Sequence, residues 1–328
     1  MQASDLELVI AGVLSGDRTW LAKAITLVES TNPVDREKAS ELLTRIALNT
    51  GGSLRIGITG SPGVGKSTFI DEFGTYLTEI GHKVAVLAVD PSSSISGGSI
   101  LGDKTRMDRL ASNPKAFIRP SPSSGVLGGV AKGTRETMLV LEASGFDAIL
   151  VETVGVGQSE AIVSEMVDFF LVLLLPGSGD SLQGIKKGVL ELADLIAVNK
   201  ADGENELRAR QSARDYQSAM VLLSPSNAGW APPVLTCSGL TGQGVPAIWD
   251  QICLHRQHTQ ETGDWGKRRS RQQIQWMWAL VEDRLIHSLK EKPEVAAFIL
   301  ETEDQVLAGG ISPHLAAEKI IQLFKQEE

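Results

Sequence analysis

The spacing of hydrophobic positions changes character twice along the chain. Over residues 1–48 the apolar residues recur at intervals of three and four: Leu6, Val9, Ile10, Val13 and Leu14, then Leu21, Ile25 and Val28. After Asn32-Pro33 the same spacing resumes with Ala39, Leu42, Leu43 and Ile46. This period lines one helical face, so residues 1–48 are predicted as a helical extension packed on the main body. Between 49 and 262 the pattern becomes short apolar runs at 54–59, 83–89, 147–151, 169–175, 195–198 and 234–236, separated by helical stretches. Runs that are apolar at successive positions read as strands buried on both faces. Their alternation with helices predicts an α/β fold with a mostly parallel sheet flanked by helices. From 263 to 328 the period is helical again. Ile274, Trp278, Val281, Leu285 and Leu289 form one stripe, with Trp276, Met277 and Leu280 on its flanks. So wide an apolar arc needs more than one surface to cover it, and this segment reads as a helical arm meeting a second copy of the chain. The basic run before it, Gly266-Lys267-Arg268-Arg269-Ser270-Arg271, reads as a solvated helix start.

Polar or glycine-rich residues follow nearly every predicted strand, and ligands of such folds sit where those loops collect. The first loop, Gly60-Ser61-Pro62-Gly63-Val64-Gly65-Lys66-Ser67, fits G-x-x-x-x-G-K-[ST] between a strand and a helix that continues with Thr68. Its glycines let backbone N–H groups curl around phosphates, the helix N-terminus favours negative charge, and Lys66 supplies a cation. Ser67 is placed to bring a hydroxyl to Mg²⁺. After the run 195–198 comes Asn199-Lys200-Ala201-Asp202. A carboxylate at Asp202 can accept both N–H groups of the guanine N1 and N2 edge. Adenine presents a lone pair at N1 and no 2-amino group. An unsatisfied buried polar group costs about 1–3 kcal/mol, more when charged, so GTP is expected over ATP.

Two strand-end acids complete the expected metal site. Glu152 ends the run beginning at Asp147, where signalling GTPases carry the aspartate of D-x-x-G, and Asp90 follows the run 83–89. Ser67, Asp90 and Glu152 can surround one Mg²⁺ on the β- and γ-phosphates. Val156 follows Gly155, where signalling GTPases place the glutamine that orients the attacking water, and Gln158 comes two positions late. Slow unassisted hydrolysis is expected. Asp103, Lys104 and Arg106, in a loop rich in glycine, are candidates to complete the transition-state environment beside Lys66 and Glu152.

Composition narrows the classes. At 328 residues, with 42% hydrophobic and 22% charged, the chain has the balance of a globular protein with one large domain plus appendages. A net charge of −9 argues against a general nucleic-acid or membrane-surface binder, which needs a positive field. Two cysteines support neither a disulfide framework nor a metal cluster. Charged residues interrupt the first thirty positions, so no signal peptide or membrane span is read there, and a cytoplasmic protein is expected.

The motifs together resemble the MeaB/MMAA/ArgK family of P-loop GTPases. The matching stretches are Asp90-Pro91-Ser92-Ser93, residues 97–107, Arg119-Pro120-Ser121-Pro122, Glu152-Thr153-Val154-Gly155-Val156-Gly157-Gln158-Ser159-Glu160, and 180–188. Trp276-Met277-Trp278-Ala279-Leu280-Val281 extends the likeness into the arm. The resemblance implies a GTPase sheet of the SIMIBI class and a homodimer, with GTP or GDP and Mg²⁺ bound and no tightly held organic cofactor. It implies as partner a coenzyme-B12-dependent acyl-CoA mutase, methylmalonyl-CoA mutase first among them. In such a family nucleotide state gates adenosylcobalamin delivery and release of damaged cofactor, and the mutase stimulates hydrolysis. It further implies three switches, at about 91–108, 153–162 and 176–188, with Gln158, Asp180, Lys186 and Lys187 coupling nucleotide to partner. Thr236-Cys237-Ser238-Gly239-Leu240 matches the loop that backs the guanine, so Ser238, Gly239 and Leu240 join the GTP-binding set.

Two other functions share parts of this pattern. Metal-insertion GTPase chaperones carry the Glu152-type site, but they need converging soft ligands, and His82, His255, His258, His287 and His314 are scattered, with His255 and His258 read as a surface pair. A protein kinase of an amino-acid transport system would also use the phosphate loop, but no acceptor-binding motif accompanies it.

Overall fold

The computed structural model describes residues 3–89, 107–120, 127–153, 159–177, 187–223 and 229–326. Three helices come first: α1 (Ala3–Leu14), α2 (Arg18–Val28) and α3 (Pro33–Ile46). Asp17 caps α2 by accepting from the amides of Thr19 and Trp20, and Asn32 caps α3 with Pro33 in its first turn. The sheet is built from β1 (Leu54–Gly60), β2 (Val84–Val89), β3 (Ala116–Pro120), β4 (Ala148–Thr153), β5 (Phe169–Leu174), β6 (Leu195–Val198) and β7 (Val234–Thr236). Its order is β3-β2-β4-β1-β5-β6-β7, and every neighbouring pair is parallel. The connecting helices are α4 (Lys66–Glu79), α5 (Asp108–Ala111), α6 (Leu127–Ala143), α7 (Ser159–Ser164), α8 (Lys187–Glu191), α9 (Glu206–Leu223) and α10 (Val245–Glu261). β3 is absent from the strands read in the sequence. Ala116, Phe117 and Ile118 are too few apolar residues to stand out before Arg119-Pro120, and only pairing with β2 makes the segment a strand.

Each face of the sheet has its own core. On one, α1 to α3 bring Leu21, Ile25 and Leu42 into a cluster with Ile149, Val151 and Phe170 of the sheet. The N-terminal helices are therefore part of the main hydrophobic core, as their period requires. On the other face Phe69 and Phe73 of α4 and Ile248 and Ile252 of α10 pack on Ile56, Ile58 and Leu150.

Two compact units are present, Met1–Arg269 and Ser270–Glu328. Helix α11 (Asp264–Glu291) contains the boundary, and α12 (Pro293–Leu307) and α13 (Pro313–Gln326) complete the second unit. Within it the Lys292 ammonium lies over the Phe324 ring, 4.7 Å from its centroid. Ile274, Trp278 and Leu285 are each 57% exposed on α11, an apolar surface that the described chain leaves open to solvent. Among the described residues no helix is long and apolar enough to cross a membrane.

The basic run does start a helix, but two of its side chains are half-buried against acids rather than free in water. Arg269 makes a two-pronged pair with Asp168 (2.7 Å to each oxygen) and donates to the carbonyls of Gly51 and Ser53. Arg268 reaches Asp194 at 3.1 Å. Both acids sit just before strands, where the register aims them at the bottom edge of the sheet. Nor is His255 a surface residue. It is 3% exposed, with its ring edge-on to Phe169 and Trp230 at 5.0 Å and Nε2 at 3.5 Å from Asp194. Burial alone would raise the Asp194 pKa; His255, Arg268 and the Phe170 amide outweigh it and hold the carboxyl below its ordinary range.

Candidate nucleotide site

The loop that follows β1 is shaped by its glycines. Gly65 caps α4 at φ +92°, a left-handed conformation that favours glycine, and a Cβ there would come within 3.0 Å of the Asn199 Nδ2. Lys66 opens α4 and folds back on its own loop, donating to the carbonyls of Gly60 (2.8 Å) and Ser61 (3.3 Å). It is buried, which pushes its pKa down, while the carboxylates of Glu152 and Glu160 offset part of that shift. Pro62 and Gly63 are exposed, Val64 is buried, and Thr68 faces solvent from the first turn. An ammonium, a row of turn amides and a helix N-terminus thus meet at one strand end, an arrangement that can cradle phosphates.

The hydroxyl of Ser67 donates to Glu152 Oε1 at 3.2 Å, bringing the helix start and the end of β4 together. These are hard oxygen donors and suit Mg²⁺, which prefers one or two carboxylates, a hydroxyl and water. Glu160 ends one of the family-matching stretches but is assigned no role by the sequence. It is 3% exposed in the first turn of α7, and an acid there reads from sequence as an ordinary complement to the helix dipole. Asp90, Asp103, Lys104, Arg106, Gln158, Asp180 and Lys186 lie outside the described residues, as does the side chain of Lys187.

The base side is assembled around Asn199. Its Nδ2 donates to the Val64 carbonyl (2.9 Å), while its Oδ1 accepts from the Gly239 amide (3.0 Å) and the Cys237 thiol (3.6 Å). One buried amide therefore joins the phosphate loop, the end of β6 and the loop after β7. Burial pushes the Cys237 thiol up to about 12, so it stays protonated and acts as a donor. Lys200 adopts φ +60°, turning the chain so that Asp202 faces Ser238. The Ser238 hydroxyl donates to Asp202 Oδ2 and accepts from the amides of Leu240 (3.2 Å) and Thr241 (3.1 Å). Gly239 runs against α4 so closely that a Cβ would lie 2.8 Å from the Phe69 backbone. Leu240 is exposed beyond it. The structure thus brings Gly60 to Thr68, Glu152, Asn199 to Asp202 and Ser238 to Leu240 to one end of the sheet.

A family model described as "Methylmalonyl Co-A mutase-associated GTPase MeaB" matches residues 21–294. A Caulobacter vibrioides relative named for GTPase activity is 53% identical over 98% of each chain. The mouse protein "Methylmalonic aciduria type A homolog, mitochondrial" is 45% identical over 96% of this chain and 78% of its own length. A solved structure titled "Crystal structure of LAO/AO transport system kinase" superposes with a TM-score of 0.75 at 36% identity, covering 99% of both chains.

Proposed function

The chain belongs to the MeaB family of methylmalonyl-CoA mutase-associated GTPases, and from that premise we propose a Mg²⁺-dependent GTPase that chaperones a coenzyme-B12-dependent acyl-CoA mutase. Methylmalonyl-CoA mutase is the proposed partner, and the role is to gate adenosylcobalamin loading and to protect or reactivate the mutase. The observation that carries this reading is the match over residues 21–294, which takes in the phosphate loop and the start of the C-terminal helices. The names of relatives, mouse methylmalonic aciduria type A homolog among them, support the same partner chemistry.

In this reading the amides of residues 60–68 cradle the phosphates, and the Lys66 ammonium exchanges the carbonyls of Gly60 and Ser61 for phosphate oxygens. Ser67 and Glu152, with Asp90, would hold Mg²⁺, which when bound neutralises charge on the β- and γ-phosphates. Val156 leaves the attacking water without the usual glutamine, so turnover is slow until a partner binds, with Asp103 and Arg106 completing the site. Gln158, Asp180, Lys186 and Lys187 carry nucleotide state to the partner. Residues 1–48 brace the domain 49–262, and 263–328 form the dimer arm, consistent with its open apolar stripe.

Asp202 reads the guanine edge, held in place by Ser238. Replacing Asp202 with asparagine should cut the preference for GTP over ATP roughly tenfold or more, since the amide can turn a donor toward adenine. Competition binding with the two triphosphates measures it, and undiminished selectivity would refute the base reading. The function itself is tested by phosphate release with and without purified methylmalonyl-CoA mutase, alongside light scattering of the full chain. Stimulation by the mutase and a dimer mass are expected. Transfer of label from the γ-phosphate onto a transport protein would instead establish a kinase.

A further inference from the structure

Strands β1 and β4 are neighbours, and the last residues they hold in register are Ile58 and Glu152. One residue further on, each strand is paired with its other neighbour: Thr59 with Val172 of β5, and Thr153 with Val89 of β2. The helices that follow these two strands cover opposite faces of the sheet. Phe69 and Phe73 of α4 lie in one core, and Val163 of α7 in the other. Between β1 and β4 the connections therefore reverse direction, which is where an open parallel sheet forms its ligand crevice.

At the floor of that crevice the Thr153 hydroxyl donates to the Thr59 hydroxyl at 2.7 Å. Both residues are 1% exposed. This bond takes over where the backbone register between the strands stops. Thr59 immediately precedes Gly60 and the phosphate loop. Thr153 immediately follows Glu152, whose carboxylate, on the opposite face of β4, meets Ser67 at 3.2 Å. Two buried hydroxyls facing an apolar core are an odd choice if packing alone were served, because a valine pair fills the same space without polar atoms to satisfy.

We propose that the Thr59–Thr153 hydroxyl pair is a positioning device for hydrolysis, setting the separation of β1 and β4 so that Glu152 and Ser67 meet over the phosphate loop. Neither threonine touches nucleotide. Their effect passes through Glu152, and the inference rests on the reading of Ser67 and Glu152 as the Mg²⁺ holders.

The test uses the full chain with Thr153→Val, Thr153→Ser and the double variant Thr59→Val/Thr153→Val. Readouts are kcat for GTP, KM, the Mg²⁺ concentration half-saturating binding of a fluorescent GDP analogue, and the thermal midpoint. Thr153→Val should lower kcat and raise the half-saturating Mg²⁺ concentration about tenfold each, with KM within about twofold, because a displacement of well under 1 Å at the reacting groups is costly. Thr153→Ser, which keeps the bond, should restore both. The double variant should regain the thermal midpoint, having no hydroxyl left unsatisfied, yet keep the lowered kcat. A double variant with normal kcat and Mg²⁺ dependence would overturn the proposal, as would a serine variant as impaired as the valine one. Should the unaltered protein bind GDP without regard to Mg²⁺, the metal reading fails, and the kcat values with serine rescue still decide the role of the pair.

Discussion

Replacing Lys66 with alanine should lower kcat/KM for GTP by about 100- to 1000-fold, the range found when a preorganised charge is removed from a transition state. The side chain is buried at the head of α4, its Nζ within hydrogen-bond reach of two loop carbonyls, so in the proposed site it would meet phosphate at low dielectric. Stability should hold or rise. Burial lowers the Lys66 pKa, so below that lowered value the protonated ammonium is disfavoured in the folded state relative to the unfolded chain. Alanine removes that cost along with the charge. Phosphate release and a thermal melt measured on the same preparation separate the two effects. Unaltered turnover would remove the phosphate loop from the mechanism, and a collapsed melting point would mean the lysine serves folding first.

Arg269→Ala should be the most damaging single change to stability. Asp168 has a side chain only 1% exposed, and Arg269, itself 15% exposed, satisfies both of its oxygens. The same guanidinium also closes the carbonyls of Gly51 and Ser53, and lies over the Trp265 ring at 4.7 Å. Removing one partner of a buried pair costs about 3–5 kcal/mol, because the other charge is left uncompensated. For a chain of 328 residues that lowers the melting point by roughly 4–7 °C. Lysine should rescue only part, since one ammonium cannot reproduce the planar fork. Arg45, paired with Glu7 at the surface, provides the contrast, and its loss should leave the melting point almost unchanged because water screens the pair. Equal melting points for the Arg269 and Arg45 variants would contradict the buried network.

The loops proposed to bind nucleotide were legible because their residues are contiguous. A glycine loop with Lys66 and Ser67, and the Asn199 to Asp202 turn, each state their chemistry within eight positions, and the apolar run before each announces the strand that presents it. The helical period of the first 48 residues was legible for a similar reason, since one amphipathic face predicts burial. The opposite end of the sheet was not. A run of arginines has the same composition whether it meets water or buried acids, and Asp168 lies 101 positions from Arg269. His255 had the same ambiguity, resolved only by Phe169, Trp230 and Asp194 closing around it.

By itself the sequence determined the strand-and-helix alternation, the glycine loop after β1, the polar turn after β6 and the family, all of them local patterns with a fixed period or spacing. Tertiary structure alone decided that Asn199 ties three loops together, that Arg268 and Arg269 are anchored at the sheet's lower edge, and that Thr59 and Thr153 meet where β1 and β4 lose their register. Those partners are set by which strands lie side by side. Strand order in a parallel sheet is chosen by the packing of crossover helices on both faces, not by any short stretch of residues.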